Sequence, residues 1–222
     1  MTALGFGQAP SVATSSCTIG HRMVTPKNPQ TGPDGNFLPG QSIVQLGSAL
    51  YDETTIRVIE HPMSAKDDLD AYRSTIVVTQ RNMRQEYSLA QHIKYGSLYR
   101  IVEFASFCPS PDREIVYLAF ETPSTGASEA FVVLQLLPEG IDFHALPEAN
   151  EGRIVIRTSD PTRVELWSAT GNADRTGCDA CGKYYSIQDC EIEKHTITCN
   201  HRAGAKATGY PGKFISRRIE IH

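Results

Sequence analysis

The middle of the chain alternates between short apolar, β-branched runs and polar turns. Eight such runs predict strands, at 42–46, 54–60, 74–80, 97–107, 114–121, 129–138, 152–159 and 163–168. Prolines and aspartates in the short connections 108–113 and 160–162 predict tight turns, and therefore hairpins, between the flanking runs. Strands at this spacing predict a mainly β fold, an antiparallel sandwich or barrel of the size of a jelly roll.

Three other segments carry weaker periodic signals. Residues 83–96 place four apolar side chains on one helical face before a glycine, which predicts a helix. The charged segment 65–73 predicts one or two helical turns. Residues 213–222 alternate imperfectly and predict a last strand that adds to an edge of the main sheet.

Composition divides the chain into five parts. Residues 1–40 are rich in Gly, Pro, Ser, Thr and Asn and have no apolar periodicity, which predicts an extended arm or a disordered tail. An ordered arm of this composition is expected to be held by the rest of the chain or by a neighbouring subunit. The remaining parts are a β-rich core at 41–168, a polar linker at 169–177, a metal-binding module at 178–201, and a connector with a terminal strand at 202–222.

Bulk composition excludes some classes of function. The chain has 222 residues, 40% of them hydrophobic, and a formal net charge of -4. This charge argues against a protein that coats nucleic acid by electrostatics alone. No segment has the ~18 consecutive apolar residues of a membrane span, and the N-terminus lacks the features of a secretory signal. We therefore expect no membrane partner.

Soft metal ligands are crowded near the end of the chain. Four of the six cysteines and two of the seven histidines lie within residues 178–201. Cys178 and Cys181 form a CxxC pair, the spacing with which a tight turn presents two thiolates to a metal. His195 and Cys199 are four residues apart, so a helix would place both on one face. This pattern predicts a structural Zn²⁺ site with these four ligands, in an intracellular, reducing compartment.

The segment 178–201 resembles the two-cysteine two-histidine class of zinc finger, in its variant with a final cysteine. Tyr185 and Ile192 stand at the positions of that family's small apolar core. The resemblance implies a β-hairpin followed by a helix, here over 187–199, clasped on zinc. The segment departs from the pattern in a longer Cys-to-His gap and in Thr176, which stands where the family has an aromatic residue.

Two other ligand choices stay open. His201 can replace Cys199 as the fourth ligand, and Cys190 can complete a set of four cysteines. On a helix, Cys190 points away from the ligand face and is expected to be a free surface thiol. Four protein ligands close the site, so the zinc is expected to be structural. His144 is expected to be an ordinary loop histidine, and the sequence contains no phosphate-binding loop and no nucleophile elbow, which favours a non-enzymatic protein.

The zinc-finger resemblance also implies contact with nucleic acid. By position, Gln188, Glu191 and Lys194 would face the major groove, and Arg217 and Arg218 add a local basic pair. A single finger reads about 3 base pairs, which is little for specific binding.

These patterns lead to two main functional hypotheses, and an enzyme whose catalytic residues come from distant loops is a third. The first is a zinc-stabilised structural or interaction protein without enzymatic activity, which assembles with other protein chains as a homo-oligomer. A subunit of a virus particle or a similar multimeric assembly is one version, and its location would then be the virion. The alternative is a nucleic-acid-binding zinc-finger protein.

Overall fold

The architecture consists of strands in three sheets. The structure, a computed structural model, describes residues 20–23, 40–45, 54–62, 72–80, 83–89, 100–121, 128–147, 149–150, 152–172, 183–202, 207–209 and 218–222. Within these ranges the strands are β1 (Gly20–Met23), β2 (Gly40–Gln45), β3 (Thr55–Pro62), β4 (Tyr72–Gln80), β5 (Met83–Ser88), β6 (Arg100–Ser110), β7 (Arg113–Glu121), β8 (Ser128–Leu137), β9 (Gly140–Ala145), β10 (Ala149–Asn150), β11 (Arg153–Arg157), β12 (Asp160–Asn172), β13 (Lys183–Ile192), β14 (Ile197–His201), β15 (Ala207–Gly209) and β16 (Ile219–Ile221).

The three sheets are stacked in layers. The central sheet has the order β1-β6-β7-β8-β10, with β9 also paired to β8. The N-terminal sheet has the order β2-β3-β4-β5, and the C-terminal sheet the order β14-β13-β12-β11-β16, with β15 also paired to β13. Neighbouring strands run antiparallel, except that β16 is parallel to β11. One apolar cluster joins the central sheet to the N-terminal sheet, and a second joins it to the C-terminal sheet.

The central strands are apolar at almost every position because both of their faces are covered. Along β7, Leu118 and Phe120 pack toward the N-terminal sheet, whereas Tyr117 and Ala119 pack toward the C-terminal sheet. All four side chains are fully buried. Successive side chains on a strand point to opposite faces, so a strand between two layers needs apolar residues on both.

The coarse part of the predicted fold class is confirmed: the described chain is mainly β, with antiparallel sheets, whereas the ββα module is not seen. The eight strands predicted between residues 42 and 168 appear as β2, β3, β4, β6, β7, β8, β11 and β12. Both predicted hairpins, β6–β7 and β11–β12, form, and β8 extends the first into a meander. The described strands stack in three open sheets and do not close into a barrel.

The helix predicted over 83–96 is wrong in its first half, because Met83–Ser88 is a strand. Its apolar residues Met83 and Tyr87 are four apart, a spacing that fits both a helical face and one face of a strand. Residues 90–96 of this prediction, and most of the predicted turns at 65–73, lie outside the described residues. In the described ranges no helix has the length and apolarity to cross a membrane.

The helix predicted over 187–199 is also wrong, since these residues belong to β13, β14 and the turn between them. The first residues of the predicted linker 169–177 continue β12 as far as Asn172, and β13 pairs along β12. Tyr185 and Ile192, the core pair of the finger pattern, are seven apart on one strand and therefore point to opposite faces. The described part of the predicted module is thus an integral part of the C-terminal sheet.

Both ends of the chain contribute edge strands. β1, which lies within the predicted arm, pairs antiparallel with β6. The predicted terminal strand is confirmed at Ile219–Ile221, where β16 pairs with β11. The fully buried carboxylate of Glu103 accepts hydrogen bonds from the backbone N–H groups of Arg218 (2.5 Å) and Ile219 (2.9 Å). This carboxylate ties the C-terminal tail to the central sheet.

The three-layer arrangement predicts that neighbouring residues of β8 are equally sensitive to truncation. Val132→Ala and Val133→Ala each remove buried methyl groups, one from each apolar cluster, and each should lower the free energy of unfolding by about 2 kcal/mol. Urea denaturation monitored by circular dichroism measures this. Thr79→Ala, at an exposed position of β4, is the control and should change stability by less than about 0.5 kcal/mol. In a two-layer sandwich one of the two valines would face solvent, and its replacement by Ala would change the unfolding free energy little.

Candidate functional site

The turn between β13 and β14 docks on the β8–β9 hairpin through charged side chains. Lys194 Nζ lies 2.8 Å from Glu139 Oε1. His195 Nδ1 lies 2.6 Å from Asp142 Oδ2, and its Nε2 lies 3.7 Å from Glu139 Oε1. We call these four residues, together with His144 of β9, the junction cluster. It brings two carboxylates of the β8–β9 hairpin to the predicted zinc ligand His195.

Two side chains of the central sheet donate hydrogen bonds to the backbone of the same turn. Arg113 Nη2 donates to the carbonyl oxygens of Ile192 (2.8 Å) and Glu193 (3.0 Å). The fully buried Gln135 donates from Nε2 to the Glu193 carbonyl (2.8 Å) and accepts from Arg113 Nε (2.9 Å). The turn closes with a hydrogen bond from Glu193 N to Thr196 O (2.9 Å). The position of His195 is therefore set by a network that spans two sheets.

The electrostatics of the junction cluster follow from these contacts. The hydrogen bond from Lys194 lowers the pKa of Glu139, and the same contact raises the pKa of Lys194. Burial lowers the pKa of His144, an effect that nearby Asp142 partly opposes. His144 Nε2 is buried and finds no hydrogen-bond partner among the residues that the structure describes. The fold thus favours a neutral imidazole at His144.

The charged groups of the junction cluster are paired with one another, which fastens the C-terminal sheet to the central sheet. Among the described residues, no group of three or more His, Cys, Asp or Glu side chains could hold a metal ion. Two imidazoles and two carboxylates lie close together here, but their contacts are mutual ion pairs and hydrogen bonds. The arrangement therefore has the chemistry of a structural tie.

The described members of the predicted zinc site do not fit a finger-type site. Cys199 is bonded to Cys190 in a disulfide that joins directly opposite residues of β13 and β14. His195 lies in the turn and faces Asp142, and the helix that would align it with Cys199 does not form. Cys178 and Cys181 lie outside the described residues, so the four-ligand set as a whole stays a prediction. Zinc binding by Cys199 would require reduction of this disulfide.

The two alternative zinc ligands, Cys190 and His201, also lie in surroundings that differ from those of a zinc site. Cys190 is 2% exposed and disulfide-bonded, so the expectation of a free surface thiol is wrong. His201 is exposed at the end of β14, opposite Gln188 of β13. Cys108 is also disulfide-bonded. The described cysteines therefore carry no free thiol.

The predicted nucleic-acid contacts do not form one surface. Gln188 and Glu191 are three residues apart on a strand and point to opposite faces. Glu191 pairs with Arg163 across the sheet (2.9 Å) and Lys194 pairs with Glu139. Arg218 Nε lies 2.9 Å from the buried Glu129 Oε1, whereas Arg217 lies outside the described residues. The helix that would carry these residues into the major groove does not form. Contact with nucleic acid through them stays a prediction.

A charged cleft on the outer face of the C-terminal sheet is not predicted from the sequence. The cleft has a volume of about 570 Å³ and is lined mainly by Arg157, Asp160, Arg163, Glu165, Asp189, Glu191 and Arg202. Arg202 is bound by both carboxylate oxygens of Asp189 and by Glu165 (2.9 Å). The hydrogen bond from Arg202 lowers the pKa of Asp189, and these contacts raise the pKa of Arg202. The alternation of charged and apolar residues in the segments 163–168 and 187–193 was the available signal.

Comparisons with known proteins do not assign a family. Searches against protein-family models, curated proteins and solved structures find no match. The function is therefore inferred from the residues of this chain.

The Cys190–Cys199 disulfide should stabilise the β13–β14 hairpin. The double variant Cys190→Ala/Cys199→Ala should lose about 2–3 kcal/mol of unfolding free energy, because the disulfide closes a short loop in the unfolded chain. Chemical denaturation with and without dithiothreitol measures this. Reductant should destabilise the parent protein more than the variant. An equal effect on both would contradict a stabilising role for this disulfide.

Burial of His144 predicts acid-sensitive stability. Because its folded-state pKa is lowered, the unfolded chain binds more protons, so this contribution is present above the unfolded-state pKa of about 6.5 and is lost as the pH falls. Replacing His144 with Gln should reduce the loss of unfolding free energy between pH 7 and pH 5. Denaturation curves at each pH measure this. Between pH 7.5 and 9 the unfolding free energy of the two proteins should depend on pH with the same slope. If the unfolding free energy of His144→Gln fell below pH 7 as steeply as that of the parent protein, the prediction would be contradicted.

Proposed function

We propose that this chain is a non-enzymatic structural protein that assembles with other protein chains, primarily with copies of itself. The observation that carries the proposal is that the first and the last described strands, β1 and β16, both attach at sheet edges by strand addition. β1 adds to β6 at one edge of the central sheet, and β16 adds to β11 at one edge of the C-terminal sheet. Strand addition is also a common way in which separate chains join, because the backbone hydrogen bonds supply affinity.

The two terminal strands are held close to the same residue. Glu103 of β6 is the Cα partner of Met23 in β1, and its carboxylate binds the backbone of Arg218 and Ile219. A terminal strand that docks on a preformed edge can be exchanged between identical subunits at low energetic cost. The arm and the tail are therefore the natural means of assembly.

The charges of the described chain also support a non-enzymatic role. The groups that line the outer cleft are paired with each other, as in the contacts of Arg202 and of Arg163 with Glu191. The junction cluster is likewise engaged between sheets, by the ion pair of Lys194 with Glu139 and the contact of His195 with Asp142. An enzyme active site needs ionisable groups that converge on space for a substrate. In this molecule the paired charges serve cohesion.

The disulfide bears on where the protein works. The expectation of a reducing, intracellular location depended on a zinc site that uses Cys199. A bond between Cys190 and Cys199, together with the disulfide of Cys108, supports an oxidising environment, because disulfides persist there. We therefore include an oxidising compartment, or a particle exposed to one, in the proposal.

Deletion of residues 1–40 should abolish or strongly weaken assembly, because it removes β1 and the predicted arm. Sedimentation velocity of the full chain and of the deletion variant measures this, at 50 mM and 500 mM NaCl. Assemblies built on backbone pairing should persist at high salt. The nucleic-acid alternative predicts the opposite: binding to DNA or RNA that weakens steeply with salt and on Lys194→Ala. A full chain that is monomeric at every concentration and binds no other protein would contradict the proposal.

A further inference from the structure

β5 is the outermost strand of the N-terminal sheet. It pairs with β4 from Gln80↔Met83 to Thr75↔Ser88, and among the described strands none pairs with its other edge. Its side chains are exposed or half-buried throughout. An edge strand of this kind presents a row of backbone donors and acceptors that can pair with another chain.

The inner face of β5 is firmly held. Tyr87 donates a hydrogen bond to the carbonyl of Ile141 (2.8 Å) and stacks on Phe143 with ring centroids 4.6 Å apart. On the outer face, Arg84 and Glu86 form an ion pair, and their side chains are 64% and 52% exposed. β5 therefore offers an ordered edge that carries one exposed cation and one exposed anion.

We propose that β5 pairs antiparallel with β5 of a second copy, about a two-fold axis through Gln85. This contact joins the two N-terminal sheets into one continuous eight-stranded sheet. The inference depends on the proposed function, since it names the surface and the partner of an assembly that the proposed function requires.

Charge complementarity selects this register. In the continuous sheet, the exposed faces of the two copies lie on the same side, so each outward-facing residue must stand opposite another outward-facing residue. The two-fold axis therefore passes through a residue and not between two residues. Moving the axis by one residue shifts the partner of each residue by two positions. An axis through Gln85 places Arg84 of each copy opposite Glu86 of the other. An axis through Arg84 or through Glu86 would place two like charges directly opposite, which is destabilising. The contact is therefore self-complementary in one register and disfavoured in its neighbours.

The same register covers apolar surface. It places Met83 of one copy opposite Tyr87 of the other, on the inner face. Met83 is 38% exposed and is the large hydrophobic side chain left exposed in the described part of the chain. A methionine thioether packs well against an aromatic ring. The pairing thus combines two cross-strand ion pairs with two apolar contacts.

Charge reversal tests the pairing in the full chain by sedimentation equilibrium. Arg84→Glu and Glu86→Arg each create two like-charge contacts per dimer, and each should weaken self-association about tenfold or more. The double swap Arg84→Glu/Glu86→Arg restores complementarity and should recover an affinity within about threefold of the parent protein. Arg57→Glu makes the same charge change on the exposed face of β3, two strands away, and should have no effect.

Amide hydrogen exchange supplies a second measurement. Protection of the backbone of residues 83–88 should increase with protein concentration in the parent chain and in the double swap, but not in Arg84→Glu. Far-UV circular dichroism of each variant verifies that the fold is retained.

The outcomes separate this inference from the proposed function. Assemblies that are unchanged by Arg84→Glu, or that the double swap fails to restore, overturn the β5 contact. If such assemblies are still lost on deletion of residues 1–40, the proposed function stands and only the β5 contact is wrong. A chain that is monomeric at every concentration overturns the β5 contact, and if it also binds no other protein it overturns the proposed function as well.

Discussion

Burial of both faces of the central sheet is the constraint on which the rest of the structure depends. β7 and β8 lie between two other layers, so almost every side chain on them is removed from water. An apolar side chain gains free energy in either direction from such a strand, whereas a polar one needs a partner. This requirement determines both the composition of the middle of the chain and the use of its few buried polar groups.

Three of those buried polar groups connect the layers. Gln135 binds Arg113 and the backbone of the β13–β14 turn, while Glu103 and Glu129 bind the backbone of the C-terminal tail and of Gly152. A buried carboxylate is costly unless hydrogen bonds offset its desolvation. The backbone N–H groups of the flanking segments supply these bonds. The central sheet therefore holds the edges of its neighbours by satisfying its own polar groups.

The chemistry that first suggested a metal module has a structural use in this fold. The residues of the module pair with β12 and extend an existing sheet, because strand pairing buries Ile187, Cys190 and Ile192 against neighbouring strands. In that setting the histidine becomes part of an ion-paired turn, and two of the cysteines bond to each other. The edge of β5 and the terminal strands β1 and β16 are the places at which we propose that the molecule meets other chains.

The sequence by itself determined the β class, the β6–β7–β8 meander, the β11–β12 hairpin and the terminal strand. These follow from short-range patterns: runs of β-branched residues, turn residues between them and strand lengths. Tertiary structure alone decided the strand at Met83–Ser88, since an apolar spacing of four residues fits helix and strand alike. It decided as well the strands at 183–201, where the spacing of His195 and Cys199 and the zinc-finger resemblance had indicated a helix. It also decided the three layers, the Cys190–Cys199 bond and the approach of His195 to Asp142. Each of these depends on which strands become neighbours, and that is settled by burial over the whole molecule rather than by any local segment.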